Sequence, residues 1–204
     1  MAKQVGLYFG TFNPIHVGHL IIADHMAQYT DVEQVWFVVS PQNPMKPKAT
    51  LLADHHRLAL VRTAIEDNPR LRVSTIEFDL PRPSYTINTL VALKEKHPDY
   101  DFWLIMGQDN LATLHKWKAY REILENYKLL VYPRIGTDDV STEDIAQCEL
   151  NDHPSVHIID APLMKISASF IRKAISEGKD VRYLLTERVE HYVKEMHFYK
   201  KPIQ

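Results

Sequence analysis

Six short apolar runs punctuate the chain, at residues 5–9, 34–39, 72–75, 102–106, 128–132 and 156–159. They are mostly apolar throughout rather than alternating, and turn residues bound them. That is the pattern of strands covered on both faces of a parallel sheet. The run at 72–75 is the weakest, and those at 102–106 and 128–132 are the strongest. Trp36 and Trp103 lie inside such runs and are assigned to the core. Between the runs, apolar residues recur at helical spacing. Residues 19–28 place Leu20, Ile21, Ala23 and Ala27 on overlapping faces, 54–66 repeat Leu58, Val61 and Ile65, and 86–96 repeat Leu90 and Leu93. A short helix is expected at 118–124. Another spans 168–177 and ends at Gly178, a residue suited to a left-handed cap. The last covers 186–196, with Val189, Tyr192, Val193 and Met196 apolar.

Strand and helix alternate until about residue 160, where the strand signal stops. The order predicts an α/β fold, a Rossmann-like doubly wound parallel sheet, with a small C-terminal helical subdomain. The expected division is 1–160 for a nucleotide-binding α/β domain and 161–204 for helices packed on it as one compact unit. Residues 134–152, polar and acidic with Gly136 among them, read as a surface excursion.

Composition narrows the function classes. A chain of 204 residues with 45% hydrophobic and 25% charged residues is ordinary for one globular domain. The net charge of -2, without a stripe of Lys and Arg, argues against a nucleic-acid partner. No run of about 18 apolar residues offers a membrane span. Residues 1–7 lack the apolar core of a signal peptide, so a cytoplasmic location is expected. The lone Cys148 excludes an internal disulfide and a cysteine metal cluster, and reads as a neutral thiol, either on a helix surface or half-buried. Oligomeric state is left open, a homo-oligomer included.

Open α/β sheets bind ligands at the carboxyl ends of their strands. After the first strand comes Gly10-Thr11-Phe12-Asn13-Pro14-Ile15-His16-Val17-Gly18-His19. This is neither a dinucleotide fingerprint nor a P-loop. It still has the parts of an anion site: two glycines, a turn-fixing proline, and a helix start near Val17 with free N–H groups. His16 and His19 stand three apart and share a face there. Three readings fit that stretch alone: polar surface histidines, half of a metal site, or a phosphate cradle. A metal site lacks a third ligand at suitable spacing, since His55 and His56 cannot both turn to one ion. The second strand leads into a Pro-rich stretch with Asn43 and Lys46, the fourth into Gly107-Gln108-Asp109-Asn110, and the fifth into Pro133-Arg134.

The first stretch resembles the G-x-F-x-P-x-H-x-G-H signature of the H-x-G-H nucleotidyltransferases. Lys165-Ile166-Ser167-Ala168-Ser169-Phe170-Ile171-Arg172 resembles their second signature. Pro83-Ser84-Tyr85-Thr86, Met106-Gly107-Gln108-Asp109 and Leu114-His115-Lys116-Trp117 resemble segments of one branch, the bacterial nicotinate-nucleotide adenylyltransferases. The likeness spans residues 5 to about 195. One departure is Phe9, where that branch more often has glycine, and Phe9 is expected to tighten packing under the turn.

The resemblance implies adenylyl transfer from ATP to nicotinate mononucleotide, with release of pyrophosphate. It implies catalytic roles for His16, His19, Lys46 and Arg172. ATP would be held by Gly10, Thr11, Phe12, His16, Gly18, His19, Gly107, Asp109, Arg134, Ile166, Ser167, Ser169 and Arg172. Within that set Asp109 suits a ribose hydroxyl. Thr11, Asn43, Lys46, Tyr85, Thr86 and Trp117 would hold the mononucleotide. In that set the two aromatic rings stack on the pyridine, and the N–H at the Thr86 helix start meets the carboxylate. Mg²⁺ is implied as a passenger on the ATP phosphates, with no protein ligand named. The alternatives are another H-x-G-H enzyme, acting on phosphopantetheine or glycerol phosphate, and a non-catalytic nucleotide-binding regulator on the same fold.

Overall fold

The computed structural model describes residues 2–41, 51–134 and 140–200. A six-stranded, all-parallel sheet runs β3-β2-β1-β4-β5-β6. The strands are β1 (Lys3–Gly10), β2 (Gln34–Val39), β3 (Leu71–Ser74), β4 (Tyr100–Gly107), β5 (Leu129–Tyr132) and β6 (Val156–Ile158). Helices α1 (Val17–Tyr29), α2 (Asp54–Ile65), α3 (Thr86–Lys96), α4 (Gln108–Ala112), α5 (Tyr120–Asn126), α6 (Thr142–Ala146), α7 (Ala168–Ser176) and α8 (Glu187–Glu195) connect or follow them.

All six residues of β2 are buried, as a strand covered on both faces requires. Side chains on β1 alternate between two cores. Tyr8 joins Phe12, Ile22, Phe37 and Trp103 in one core, which also takes Ile171 and Ala174 of α7 and Val189 and Val193 of α8. Val5 and Leu7 join Trp36, Leu90, Leu93, Phe102 and Ile123 in the other. The C-terminal helices therefore share a core with the sheet. Trp36 and Trp103 are 8% and 3% exposed, as expected of core residues, and Cys148 is half-buried against the second core.

The chain passes from β1 outward to β2 and β3, then returns to pair β4 on the other side of β1. The direction of winding reverses between β1 and β4, and this opens a crevice beyond their carboxyl ends. The fold class matches the sequence reading, and the expected segments fall within a few residues of the observed ones. Gly178 takes φ +74° after α7, the left-handed cap predicted for it.

After β4 the chain turns directly into a short helix, Gln108–Ala112. One segment differs from expectation. Residues 140–152 are not a plain surface excursion. The Ser141 hydroxyl accepts from the Asp144 N–H at 3.1 Å, while the Asp144 carboxylate accepts from Ser141 N–H at 2.9 Å. This reciprocal cap starts α6, and Val140 and Ile145 are buried. A five-residue helix with one apolar anchor is too short for periodicity to register.

Candidate active site

The first turn is built around Phe12. Its φ of 45° is left-handed, an expensive conformation for a residue with a side chain unless packing fixes it. Here packing does: the ring is 2% exposed and lies edge-on to Tyr8, Phe37 and His19. A Cβ at Gly10 would come within 2.8 Å of that ring, so the space left by this glycine is filled by Phe12. The turn then delivers His16 as the N-cap of α1.

His16 and His19 stack with ring centroids 3.7 Å apart and planes 26° apart. The backbone N–H of His16 donates to His19 Nδ1 at 3.3 Å. His16 is 5% exposed, and its Nδ1 has no hydrogen-bond partner among the described residues. Burial, with the positive Arg134 nearby, pushes the His16 imidazole down to about 4. At neutral pH it is therefore uncharged, a hydrogen-bonding imidazole rather than a cation.

The second motif reaches this turn from the far end of the chain. A Cβ on Gly18 would lie 3.7 Å from Ile166 Cβ, so Ile166 sits against the first turn of α1. Ser167 Oγ caps α7 by accepting from Phe170 N–H at 3.2 Å. Arg172 donates from Nη1 to Asn13 O at 2.8 Å and from Nη2 to Ser169 Oγ at 3.1 Å, placing Ser169 and Arg172 on one face.

Across the crevice, Arg134 Nε forms an ion pair with Asp109 Oδ1 at 3.5 Å. Neither atom has a hydrogen-bond partner among the described residues. Gly107 sits beneath both, where a Cβ would strike the Asp109 carboxylate and the Arg134 side chain. The backbone N–H of Arg134 donates to Gln108 Oε1 at 3.3 Å.

A cavity of about 410 Å³ lies beside the first turn, and Gly10, Thr11, Tyr85, Thr86 and Trp117 all line it. Thr86 opens α3, as predicted. His16, His19, Asp109, Arg134 and Arg172 do not line this cavity. The candidate residues thus divide into those that line this cavity and a second group outside it. Asn43 and Lys46 lie outside the described residues.

Several pocket residues escaped sequence reasoning. Phe9, expected only to tighten packing, forms part of the wall. Lys116 and Lys118 flank Trp117 and add positive charge, and Lys118 Nζ sits 4.7 Å from the centre of the Tyr85 ring. Their adjacency to Trp117 was the available signal. Glu77 and Ser84 also line the cavity. Glu77 accepts from Thr89 Oγ1 at 2.8 Å, and burial raises its carboxyl above the usual range. Beneath them, the Tyr8 and Tyr132 hydroxyls meet at 3.2 Å, and burial holds both phenols above their ordinary value.

The cytidylyltransferase-like family matches residues 7–174, which hold this parallel sheet and its histidine-bearing turn, and the relatives it resembles make its class nucleotidyltransferase. Within that class, the chain belongs to the nicotinate-nucleotide adenylyltransferase family. A probable nicotinate-nucleotide adenylyltransferase of Flavobacterium johnsoniae is 54% identical over 97% of this chain and 100% of its own length. One from Bacteroides fragilis is 46% identical over 91% of this chain and 89% of its own. In fold, the chain is similar to Plasmodium falciparum nicotinic acid mononucleotide adenylyltransferase complexed with NaAD. The TM-score is 0.77 at 20% identity, covering 97% of each chain.

Proposed function

We propose that this chain transfers the adenylyl group of ATP to nicotinate mononucleotide, in the synthesis of the dinucleotide NAD. The observation that carries the reading is the convergence of two motifs and a cavity. Arg172 reaches the Asn13 carbonyl at 2.8 Å, and the pocket containing Tyr85, Thr86 and Trp117 opens onto Gly10 and Thr11 of the same turn.

In the reaction, an oxygen of the mononucleotide phosphate attacks the α-phosphorus of ATP. The bond from that phosphorus to the β-bridging oxygen breaks, and pyrophosphate leaves with the electron pair. The attacking phosphate is already ionised near neutral pH, so no general base is required. The protein's work is positioning and charge stabilisation. His16, His19 and Arg172 stand where the first turn would meet the triphosphate. The neutral His16 supplies a hydrogen bond, and Arg172 supplies charge. Gly107, Asp109 and Arg134 form the side that suits the adenosine.

The Thr86 N–H opens α3, and the positive end of this helix suits the pyridine carboxylate. Trp117 and Tyr85 provide faces for the ring, and Lys116 and Lys118 bias the pocket toward an anion. A carboxamide presents a donor where the carboxylate accepts, which is the kind of mismatch that discriminates.

Among the described residues, no group of three or more His, Cys, Asp or Glu side chains is placed to hold a metal ion. A Mg²⁺ would be carried by phosphate oxygens and water, and no protein ligand is assigned to it. When bound it would neutralise charge on the triphosphate. Pyrophosphate release from Mg·ATP in the presence of nicotinate mononucleotide tests the reading.

A further inference from the structure

Arg57 is a polar position inside the apolar pattern of α2, yet its side chain is fully buried. All five of its N–H donors are spent. Nε donates to Leu52 O at 3.0 Å, Nη1 to Thr11 O and Ser40 O at 2.7 Å each, and Nη2 to Pro41 O at 3.1 Å and to Asp54 Oδ1 at 2.6 Å. One guanidinium thus joins the turn after β1, the end of β2 and the start of α2. The other Asp54 oxygen, Oδ2, accepts from Arg82 Nη2 at 2.9 Å, just ahead of the segment that carries Tyr85 and Thr86.

From this geometry we propose that Arg57 is a positioning residue for adenylyl transfer, setting the turn at Thr11 against the end of β2 and, through Asp54 and Arg82, against the Tyr85–Thr86 segment. The proposal rests on the function proposed above. Arg57 touches four backbone carbonyls and one carboxylate, so its effect on the reaction passes through the loops it holds. The planar fork matters because an ammonium has three donors on one atom and cannot reach carbonyls on several sides at once.

Arg57→Lys keeps the charge and loses the fork. With Mg·ATP and nicotinate mononucleotide, kcat per folded enzyme is expected to fall on the order of 10²-fold, the scale of a ~1 Å misplacement of reacting groups. A kcat within threefold of the unmodified enzyme overturns the proposal. Asp54→Asn leaves the core intact, keeps an acceptor for Arg57, and weakens the link to Arg82. It is expected to raise KM for the mononucleotide about two- to fivefold with KM for ATP unchanged, a modest effect because the Asp54–Arg82 pair is partly exposed. Equal changes in both KM values, or none, remove the Asp54–Arg82 limb.

Amide hydrogen exchange gives a readout that needs no turnover. Peptides covering 8–16 and 34–41 should exchange faster together in Arg57→Lys, with α5 unchanged. Unaltered exchange, or a uniform rise across the chain, overturns the positioning role. If the unmodified protein fails to use nicotinate mononucleotide, the function reading falls, and exchange alone then decides whether Arg57 holds these loops.

Discussion

Arg172 Nη1 donates to the carbonyl oxygen of Asn13 at 2.8 Å, joining residues 159 apart in sequence. This bond brings the two signature motifs into one site. Its second donor group, Nη2, is anchored by Ser169 Oγ, so the fork is held in place before any substrate binds. Arg172→Ala is expected to lower kcat by about 10²–10³, the scale of removing one group that stabilises transition-state charge. His19→Ala should lose a similar amount. Arg172→Lys retains charge without the fork and should fall in between. Steady-state kinetics at saturating Mg·ATP check these values, and a loss under threefold removes the residue concerned from the catalytic set.

Burial lowers His16 to about 4 from an ordinary 6.5, and this makes stability pH-dependent. Between those values the unfolded chain binds a proton that the folded protein does not, so stability rises with pH through this window and is lost as pH falls. The contribution present at pH 7 and gone by pH 4 is about 3 kcal/mol. Denaturant unfolding from pH 7 to 4 should therefore show a steeper loss in the unmodified protein than in His16→Gln. Parallel curves would mean that His16 is not buried uncharged.

Trp117 shares the cavity with Tyr85 and Thr86, apart from Asp109 and Arg134. Trp117→Ala should raise KM for nicotinate mononucleotide more than KM for ATP. The reverse split would move this side chain to the adenine end.

Tyr199 donates from its hydroxyl to Asn13 Oδ1 at 2.8 Å, and the same oxygen accepts from Leu52 N–H at 3.2 Å. Tyr199→Phe removes one of these bonds and leaves the acceptor partnered. It should cost about 0.5–1.5 kcal/mol, or a few degrees in melting temperature. Calorimetry measures this directly, and an unchanged melting temperature would show that the C-terminal clasp on the turn is not stabilising.

The strands, α3 and the first turn were legible because their signals are local. A continuous apolar run, a helical repeat and a Gly/Pro/His cluster each declare themselves within a dozen residues. Phe12 was legible as a turn residue, but its left-handed backbone depends on Tyr8, Phe37 and His19 arriving around it. Arg57 was invisible for the same reason, since nothing in Asp54–Ile65 marks one arginine as the hub of five carbonyl and carboxylate acceptors. Phe9 and Lys118 entered the pocket only once the sheet order set β1 beside β4. The charge state of His16 was likewise hidden, because it follows from burial and from Arg134, 118 residues away.

The central claim is that this site passes the adenylyl group to a mononucleotide carrying a ring carboxylate. Pyrophosphate release from Mg·ATP, measured in parallel with nicotinate mononucleotide and with its carboxamide counterpart, tests it most directly. The account predicts turnover with the acid and a kcat/KM for the amide lower by at least about 10²-fold. No turnover with the acid, or equal turnover with both, would contradict it.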